Sequence, residues 1–183
     1  MMRSLLLAFL GACLLAVTAS ATQVIHKSVQ QLGSESVAVV RGQVTDIHSF
    51  WNDSHTKIFT EVTVAVAETY KGAAAPTVRV LQLGGVVDNV KVTVHGALQW
   101  RLDEEVLMFL EPYRQGAYHV SGFSQGKFQI EHDKQTGKPF VRRLVQDGPE
   151  LVGSTSADVR DWSRTTPLDE FVDYALGRKG GAR

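Results

Sequence analysis

One short stretch of the sequence has the pattern of a catalytic nucleophile. Residues 122–126 read Gly-Phe-Ser-Gln-Gly and match the G-x-S-x-G nucleophile elbow. In that motif the serine lies on a tight turn between a strand and a helix, and the glycines allow close packing. Here the flanking sequence predicts a strand on both sides, and the chain is too short for a large hydrolase sheet. We therefore interpret Ser124 as part of a Gly-rich turn.

A second group of residues has side chains that can bind metals. His48, Asp53 and His55 lie close together in the sequence. A metal site needs three or more converging ligands with supporting hydrogen bonds, and no H-x-H or H-E-x-x-H motif occurs. We interpret these residues as solvent-exposed and predict neither a metal site nor a cofactor. Further histidines fall on separate predicted strands, which a barrel could gather into an enzyme site: His95, His119 and His132.

Asp103, Glu104 and Glu105 form a run of adjacent acidic residues. Paired carboxylates can act as acid and base when their environments separate their pKa values. These residues directly precede an apolar run and have no evident partner in the sequence. We interpret them as a solvated loop, so the sequence supplies no catalytic set and favours a protein that is not an enzyme.

Phe50 and Trp51 stand side by side in a segment rich in turn-forming residues, which we predict to be a loop over 48–56. Aromatic rings in a connecting loop of a small barrel can stack on sugars or on a partner's surface. Alternatively, one of the rings caps the end of the barrel. Both interpretations stay open, and Phe50 and Trp51 are the predicted binding residues.

The elements that position these residues are mostly strands. Residues 58–71 show the clearest alternation, with an apolar face that includes Ile58, Val62 and Val64. Gly42 predicts a bulge inside the first strand. Residues 106–110 are continuously apolar, which predicts a strand buried on both faces. The other predicted strands cover residues 36–44, 77–83, 89–95, 118–123, 127–132 and 139–144.

Helices are predicted only near the two ends of the chain. Ile25, Val29 and Leu32 fit one face of a short helix closed by Gly33. A second helix is predicted over 167–176, with Thr166 as its cap. Short strands with turn signals between them and peripheral helices predict an all-β protein built as a small, closed or nearly closed β-barrel.

The N-terminus has the features of a secretory signal. Arg3 gives a basic start, residues 5–17 are an uncharged apolar run, and 19–21 are small residues suited to signal peptidase. The apolar run is shorter than the roughly 20 residues that span a bilayer. We predict cleavage between Ala21 and Thr22, no transmembrane segment thereafter, and a secreted or periplasmic protein. The predicted division is a signal over 1–21, a barrel domain over 22–165, and a helix with a disordered tail over 166–183.

The only cysteine of the chain, Cys13, lies inside this signal. A lipoprotein would be anchored there, but the apolar run continues beyond Cys13 to Val17 and a cleavage site follows, which favours ordinary secretion. The mature chain then has no disulfide and depends on its core. Its 19 acidic residues and the 18 basic residues left when Arg3 is removed nearly balance, so nucleic acid is not a predicted partner.

Several motifs in the same order resemble the tissue-inhibitor-of-metalloproteinase and netrin-type modules. They are the strand 37–44, the strand that ends in Tyr-Lys-Gly at 70–72, the strand 104–110 and the hairpin 115–123. The chain also resembles a group of uncharacterised secreted bacterial proteins that have an Arg-Gly-x-Val strand, a strand ending in Lys-Gly and a Gly-Lys-Phe segment, which lies here at 126–128. The resemblance covers about residues 36–132 and implies an OB-like Greek-key barrel.

The chain departs from those inhibitors where they act. Their inhibitory group is an N-terminal cysteine, whereas the predicted mature chain begins at Thr22 and has no cysteine. No inhibitory residue is therefore carried over. We expect a secreted, non-enzymatic module that binds another protein of the envelope or medium, with a protease as one candidate partner. The alternative is a module that binds envelope or extracellular polysaccharide.

Overall fold

The computed structural model describes residues 23–142, 150–152 and 166–178. These residues form a mostly β structure with one helix near each end of the chain, which confirms the predicted fold class. The predicted signal with Cys13, the cleavage site at Ala21 and Thr22, and the predicted tail beyond Arg178 lie outside the described residues. Both described helices are too short to cross a membrane.

The described residues form twelve strands: β1 (Gln23–Ile25), β2 (Ala38–Trp51), β3 (Ile58–Lys71), β4 (Thr77–Leu83), β5 (Gly85–Val87), β6 (Val90–Val92), β7 (Glu105–Pro112), β8 (Tyr118–Val120), β9 (Lys127–His132), β10 (Pro139–Arg142), β11 (Glu150–Val152) and β12 (Thr166–Pro167). The helices are α1 (Val29–Glu35) and α2 (Leu168–Ala175), and a 3₁₀ turn occupies Arg114–Gly116. Eight strands form one sheet in the order β12-β10-β9-β7-β2-β3-β4-β8. Outside it, β1 pairs with β11 and β5 with β6.

The long hairpin of β2 and β3 is the centre of this sheet. Strand β3 has the predicted bounds, and its predicted apolar face is buried at Ile58, Val62 and Val64. Strand β2 is longer than predicted, because the residues from His48 to Trp51 continue to pair with β3. The predicted loop over 48–56 is therefore wrong in its first half, and the connection covers 52–57.

Gly42 marks an irregularity in this hairpin, as predicted. The pairing register between β2 and β3 shifts between Arg41 and Gly42. A Cβ atom at Gly42 would collide with the backbone carbonyl of Ala65 on β3. The glycine therefore permits close approach of the two strands where the hairpin bends.

Strand β7 belongs to two apolar clusters, which explains its unbroken apolar sequence. Leu107 and Phe109 point to one cluster, whereas the residues between and beside them point to the other. All residues from 106 to 110 are fully buried. The predicted burial of both faces of this strand is therefore confirmed.

The second cluster collects side chains from β2, β3, β4, β7 and β8. Strand β8 pairs antiparallel with β7, and it also pairs with β4 through Val80 and Tyr118. These five strands therefore follow one another in a cycle of pairings, with a single residue pair between β4 and β8. Strand β8 is shorter than predicted, because residues 121–126 form a turn.

The first cluster is covered by helices α1 and α2. Helix α1 begins with a capping box between Ser28 and Gln31, and it does not end at Gly33 as predicted. Gly33 lies inside the helix and faces α2. A Cβ atom at this position would collide with the carbonyl of Ala175 on α2. The glycine therefore serves helix packing rather than helix termination.

Helix α2 begins at Leu168 rather than at residue 167. Thr166 and Pro167 pair with β10, so Thr166 is a strand residue and does not cap the helix. The predicted stop at Gly177 is present, with a φ of 63°. The predicted strand over 89–95 is also shorter in the structure. Only Val90–Val92 form a strand, and this strand pairs with β5.

Candidate functional site

The predicted binding residues lie at the end of β2 rather than in a loop. The Phe50 ring is half-buried, 6.3 Å from the ring of Phe59, and stacks on His48. Trp51 is also half-buried and stacks on His55 with 6.2 Å between ring centroids. Asp53 is exposed in the connection. Both aromatic rings keep part of their surface accessible to a ligand.

The acidic run is not a solvated loop, and that interpretation is wrong for two of its three residues. Glu104 is almost fully buried and pairs at 2.5 Å with Lys127, whose ammonium group also lies 4.3 Å from the centre of the Trp100 ring. Burial lowers the pKa of Lys127, and Glu104 opposes that shift. Asp103 alone is exposed. The sequence concealed this ion pair because its partners are distant in the chain.

Glu105 is half-buried between two side chains that donate hydrogen bonds to it. Its carboxylate accepts hydrogen bonds from Arg41 on β2 and from His132 on β9, the latter at 2.7 Å. Burial would raise the pKa of Glu105, but the hydrogen bonds from His132 and Arg41 hold it below its ordinary value. Glu104 and Glu105 therefore fasten β7 to its neighbours.

The histidines on separate strands have separate partners. His119 pairs with Glu111 at 3.2 Å and His132 pairs with Glu105, while His95 is exposed. Among the described residues, no three His, Cys, Asp or Glu side chains are placed to hold a metal ion.

Ser124 lies in a turn between β8 and β9, as interpreted from the sequence. The next residue, Gln125, is buried, and its amide bonds the backbone of Ile25 and Lys27. The turn therefore holds the N-terminal segment against the sheet. The nearby Ser121 is fully buried and donates to Glu111 rather than to an imidazole, so it is not arranged as a nucleophile.

A cleft of about 320 Å³ opens between β4 and β8, and the sequence did not reveal it. Strand β4 continues beyond Val80 to Leu83, whereas the chain after Val120 turns away. Leu98, which is buried, also lines the cleft. The volume of the cleft lies at the lower end of the range found for ligand pockets, and its lining is mainly apolar.

Large apolar side chains at the rim of this cleft are exposed to solvent. Leu83 is 40% exposed, and Tyr113 and Phe123 are each 41% exposed. Phe123 also has a φ of 69°, in the left-handed region that bulky residues rarely adopt. An exposed aromatic ring on a strained backbone contributes little to stability, and such strain is concentrated at functional sites.

One wall of the cleft is held by a charged network. Glu111 accepts hydrogen bonds from Ser121 and Lys27 and pairs with His119, whose ring meets Tyr113 edge-on at 5.4 Å. Burial would raise the pKa of Glu111, but the hydrogen bonds of Ser121, His119 and Lys27 keep it below its ordinary value. The carboxylate therefore stays charged and fixes His119 beside the cleft.

Arg114 lies beside the same rim. Its guanidinium carbon is 4.1 Å from the centre of the Phe59 ring and 5.2 Å from that of Tyr113. The cation thus rests on aromatic faces at the mouth of an apolar cleft, an arrangement suited to recognition of a ligand with an apolar and an anionic part.

The cleft residues share one weak signal in the sequence. Phe123 is a large apolar residue within a predicted turn, and Tyr113 follows a proline at the end of a strand. Exposed aromatic residues at such positions indicate a binding surface. The local sequence does not show that Phe123 and Tyr113 lie beside the same cleft.

Comparison with protein-family models yields no match, and no curated protein matches the chain significantly. What the chain binds is therefore inferred from its own residues.

Proposed function

We propose that the chain is a secreted or periplasmic module that binds another protein and has no catalytic role. The observation that supports this most strongly is the cleft beside β4, where Leu83, Tyr113 and Phe123 expose apolar surface around an opening. Exposed apolar patches around a concave surface are typical of interaction sites. A cavity of this size accepts one or two side chains of a partner.

The scaffold around the cleft suits such a role. Three residues that line the cleft, Val80, Leu98 and Val120, also belong to the buried second apolar cluster, so the inner wall of the cleft is packed before a partner arrives. A rigid site loses less conformational entropy on binding. The signal-like N-terminus supports export, and the resemblance to inhibitor-type OB-like modules supports a barrel that presents connecting segments to a partner.

Binding of polysaccharide is the second candidate function, and it is favoured by a different place in the molecule. Phe50 and Trp51 are partly exposed at the tip of the β2–β3 hairpin, and aromatic rings in such positions stack on sugars. This surface differs from the cleft, so the candidates can be separated by substitution.

Site-directed photo-crosslinking tests the first candidate. A benzophenone residue is placed at position 123 of the mature chain, or at position 102 as the control, and each protein is mixed with the envelope and medium fractions of the producing organism. Leu102 is 60% exposed and does not line the cleft. We expect a protein adduct from position 123 that excess wild type suppresses and excess Leu83→Ser does not.

Two results would contradict the proposal. Equal adducts from positions 123 and 102, or none from 123, would show that the cleft recognises no protein. Retention on a polysaccharide column that is lost in Trp51→Ala, with no adduct at 123, would favour the second candidate.

A further inference from the structure

The loop between β7 and β8 holds a cation in a fixed place beside the cleft. Tyr113 donates its backbone N–H to the carbonyl of Ala117, which is buried against β3 and β4. Arg79 on β4 donates to the carbonyl of Gln115 at 2.8 Å. The loop that carries Arg114 is therefore fastened at both its base and its tip.

Arg114, which lies in this loop, differs in its partners from three arginines on the strands. Arg41, Arg79 and Arg142 each pair with a carboxylate, namely Glu105, Glu61 and Glu131. Among the residues that the structure describes, none pairs with or accepts a hydrogen bond from the Arg114 guanidinium. Phe59 and Tyr113 contact it only through their ring faces.

Aromatic contact leaves the hydrogen-bonding edge of a guanidinium available. Arginine has five N–H donors in one plane, and this plane matches a carboxylate in a two-bond arrangement. A guanidinium on an aromatic face is also less hydrated than one in free solution, so less water must be displaced when an anion binds.

Two carboxylates on the strands beside the Arg114 loop, Glu61 on β3 and Glu111 on β7, have partners of their own. Glu61 is bound by Arg79, and Glu111 is bound by Lys27 and His119. Arg114 therefore carries a positive charge beside the cleft that pairs with no carboxylate among the described residues. An acidic ligand complements this charge, whereas a basic ligand is repelled.

We propose that the cleft binds an acidic peptide segment of its partner: an apolar side chain enters between β4 and β8, and a nearby carboxylate pairs with Arg114. This inference rests on the proposed function and adds the chemical class of the segment. Leu83, Tyr113 and Phe123 select the apolar group, and Arg114 selects the charge next to it.

Selection from a random heptapeptide phage library tests the proposal. The bait proteins are the wild type, Arg114→Gln, Leu83→Ser and Lys134→Gln, an exposed cation of the 133–138 turn that serves as the matched control. We expect wild type and Lys134→Gln to enrich peptides with Asp or Glu within three residues of an apolar residue. Arg114→Gln should keep the apolar preference and lose the acidic one, and Leu83→Ser should enrich neither.

Affinity measurement on an enriched peptide then gives the size of the effect. We expect Arg114→Gln to bind about tenfold more weakly, the usual consequence of losing a charge-assisted hydrogen bond of about 1.5 kcal/mol. Arg114→Lys should recover only part of this loss, because it keeps the charge and not the two-bond geometry. The wild-type affinity should also fall more steeply with salt than that of Arg114→Gln.

The outcomes separate this inference from the proposed function. Apolar enrichment without acidic residues, or an acidic preference that survives in Arg114→Gln, would overturn the inference and leave the protein-binding cleft intact. No enrichment by the wild type over a bare surface would overturn both. A concentration-dependent dimer that Leu83→Ser abolishes, seen by sedimentation, would show that a second copy occupies the cleft and would overturn the acidic-segment inference.

Discussion

The molecule has two apolar regions that differ in what covers them. On the helix-covered side, the rings of Phe109, Phe128 and Phe171 pack with centroids 4.7–6.4 Å apart and are at most 1% exposed. On the cleft side, the comparable rings of Tyr113 and Phe123 remain 41% exposed. The same chain therefore buries one set of aromatic residues completely and leaves the other set open.

This difference separates stability from recognition. The covered rings contribute both burial and ring contacts, and their loss would leave a cavity. The cleft rings are less buried, and one of them lies on a strained backbone, so they contribute less to folding. Substitutions on the two sides should therefore affect different measurements.

The largest effect is expected from Phe171→Ala on the helix-covered side. Removing this ring from contact with Phe109 and Phe128 should lower the free energy of unfolding by about 3–5 kcal/mol. Urea unfolding followed by circular dichroism measures this value. Phe123→Ala is the matched comparison, and an equal loss in both variants would remove the distinction between the two regions.

Gly33→Ala should destabilise the contact between α1 and α2. Alanine favours a helix by about 1 kcal/mol over glycine, but its Cβ would meet the Ala175 carbonyl. We expect a net loss of about 1–3 kcal/mol in the free energy of unfolding, the usual cost of overpacking. Ser34→Ala, at an exposed position of the same helix, should cost nothing. A gain of stability in Gly33→Ala would refute the close packing of the helices.

Phe123→Gly should be more stable than Phe123→Ala, which reverses the usual order of these residues. Both variants lose the partial burial of the ring, but only glycine relieves the left-handed backbone, by about 1 kcal/mol. Urea unfolding of the pair measures this difference, and crosslinking competition should show loss of binding in both. If the alanine variant were the more stable one, strain at the cleft rim would be excluded.

The smallest effect concerns the charged pair His132–Glu105, which belongs to neither apolar region. The hydrogen bond that His132 donates to Glu105 raises the pKa of His132, so its contribution is present below an ordinary histidine pKa of 6.5 and is lost as the pH rises through the raised value. His132 is 44% exposed, so screening should keep the loss below about 1 kcal/mol. Unfolding between pH 5.5 and 8.5 should show this loss in the wild type and not in His132→Gln.

The strands were predictable where the local pattern agrees with the packing. Residues 58–71 alternate because one face of β3 is buried, and β7 is continuously apolar because both its faces are. Strand β2 beyond Val44 was missed because His48 and Ser49 favour turns by type. Pairing with β3 outweighs that preference, and pairing partners are not visible in a local window.

The site was less predictable because it is assembled from distant segments. Leu83, Tyr113 and Phe123 meet only because β8 pairs with β4 and β7 and then turns away. The Glu104–Lys127 pair was missed for the same reason, since 23 positions separate its members. The type of each residue is evident from the sequence, whereas its spatial neighbours depend on the strand topology.

The position of β7 between both apolar clusters has a consequence for how the protein opens. Its side chains alternate between the first cluster, which the helices cover, and the second cluster. Neither cluster can therefore unfold while the other still holds β7. Amide hydrogens of β7 should therefore exchange with solvent deuterium only through complete unfolding, whereas those of the β5–β6 hairpin exchange through local fluctuations. A single strand thus makes the unfolding of this domain cooperative.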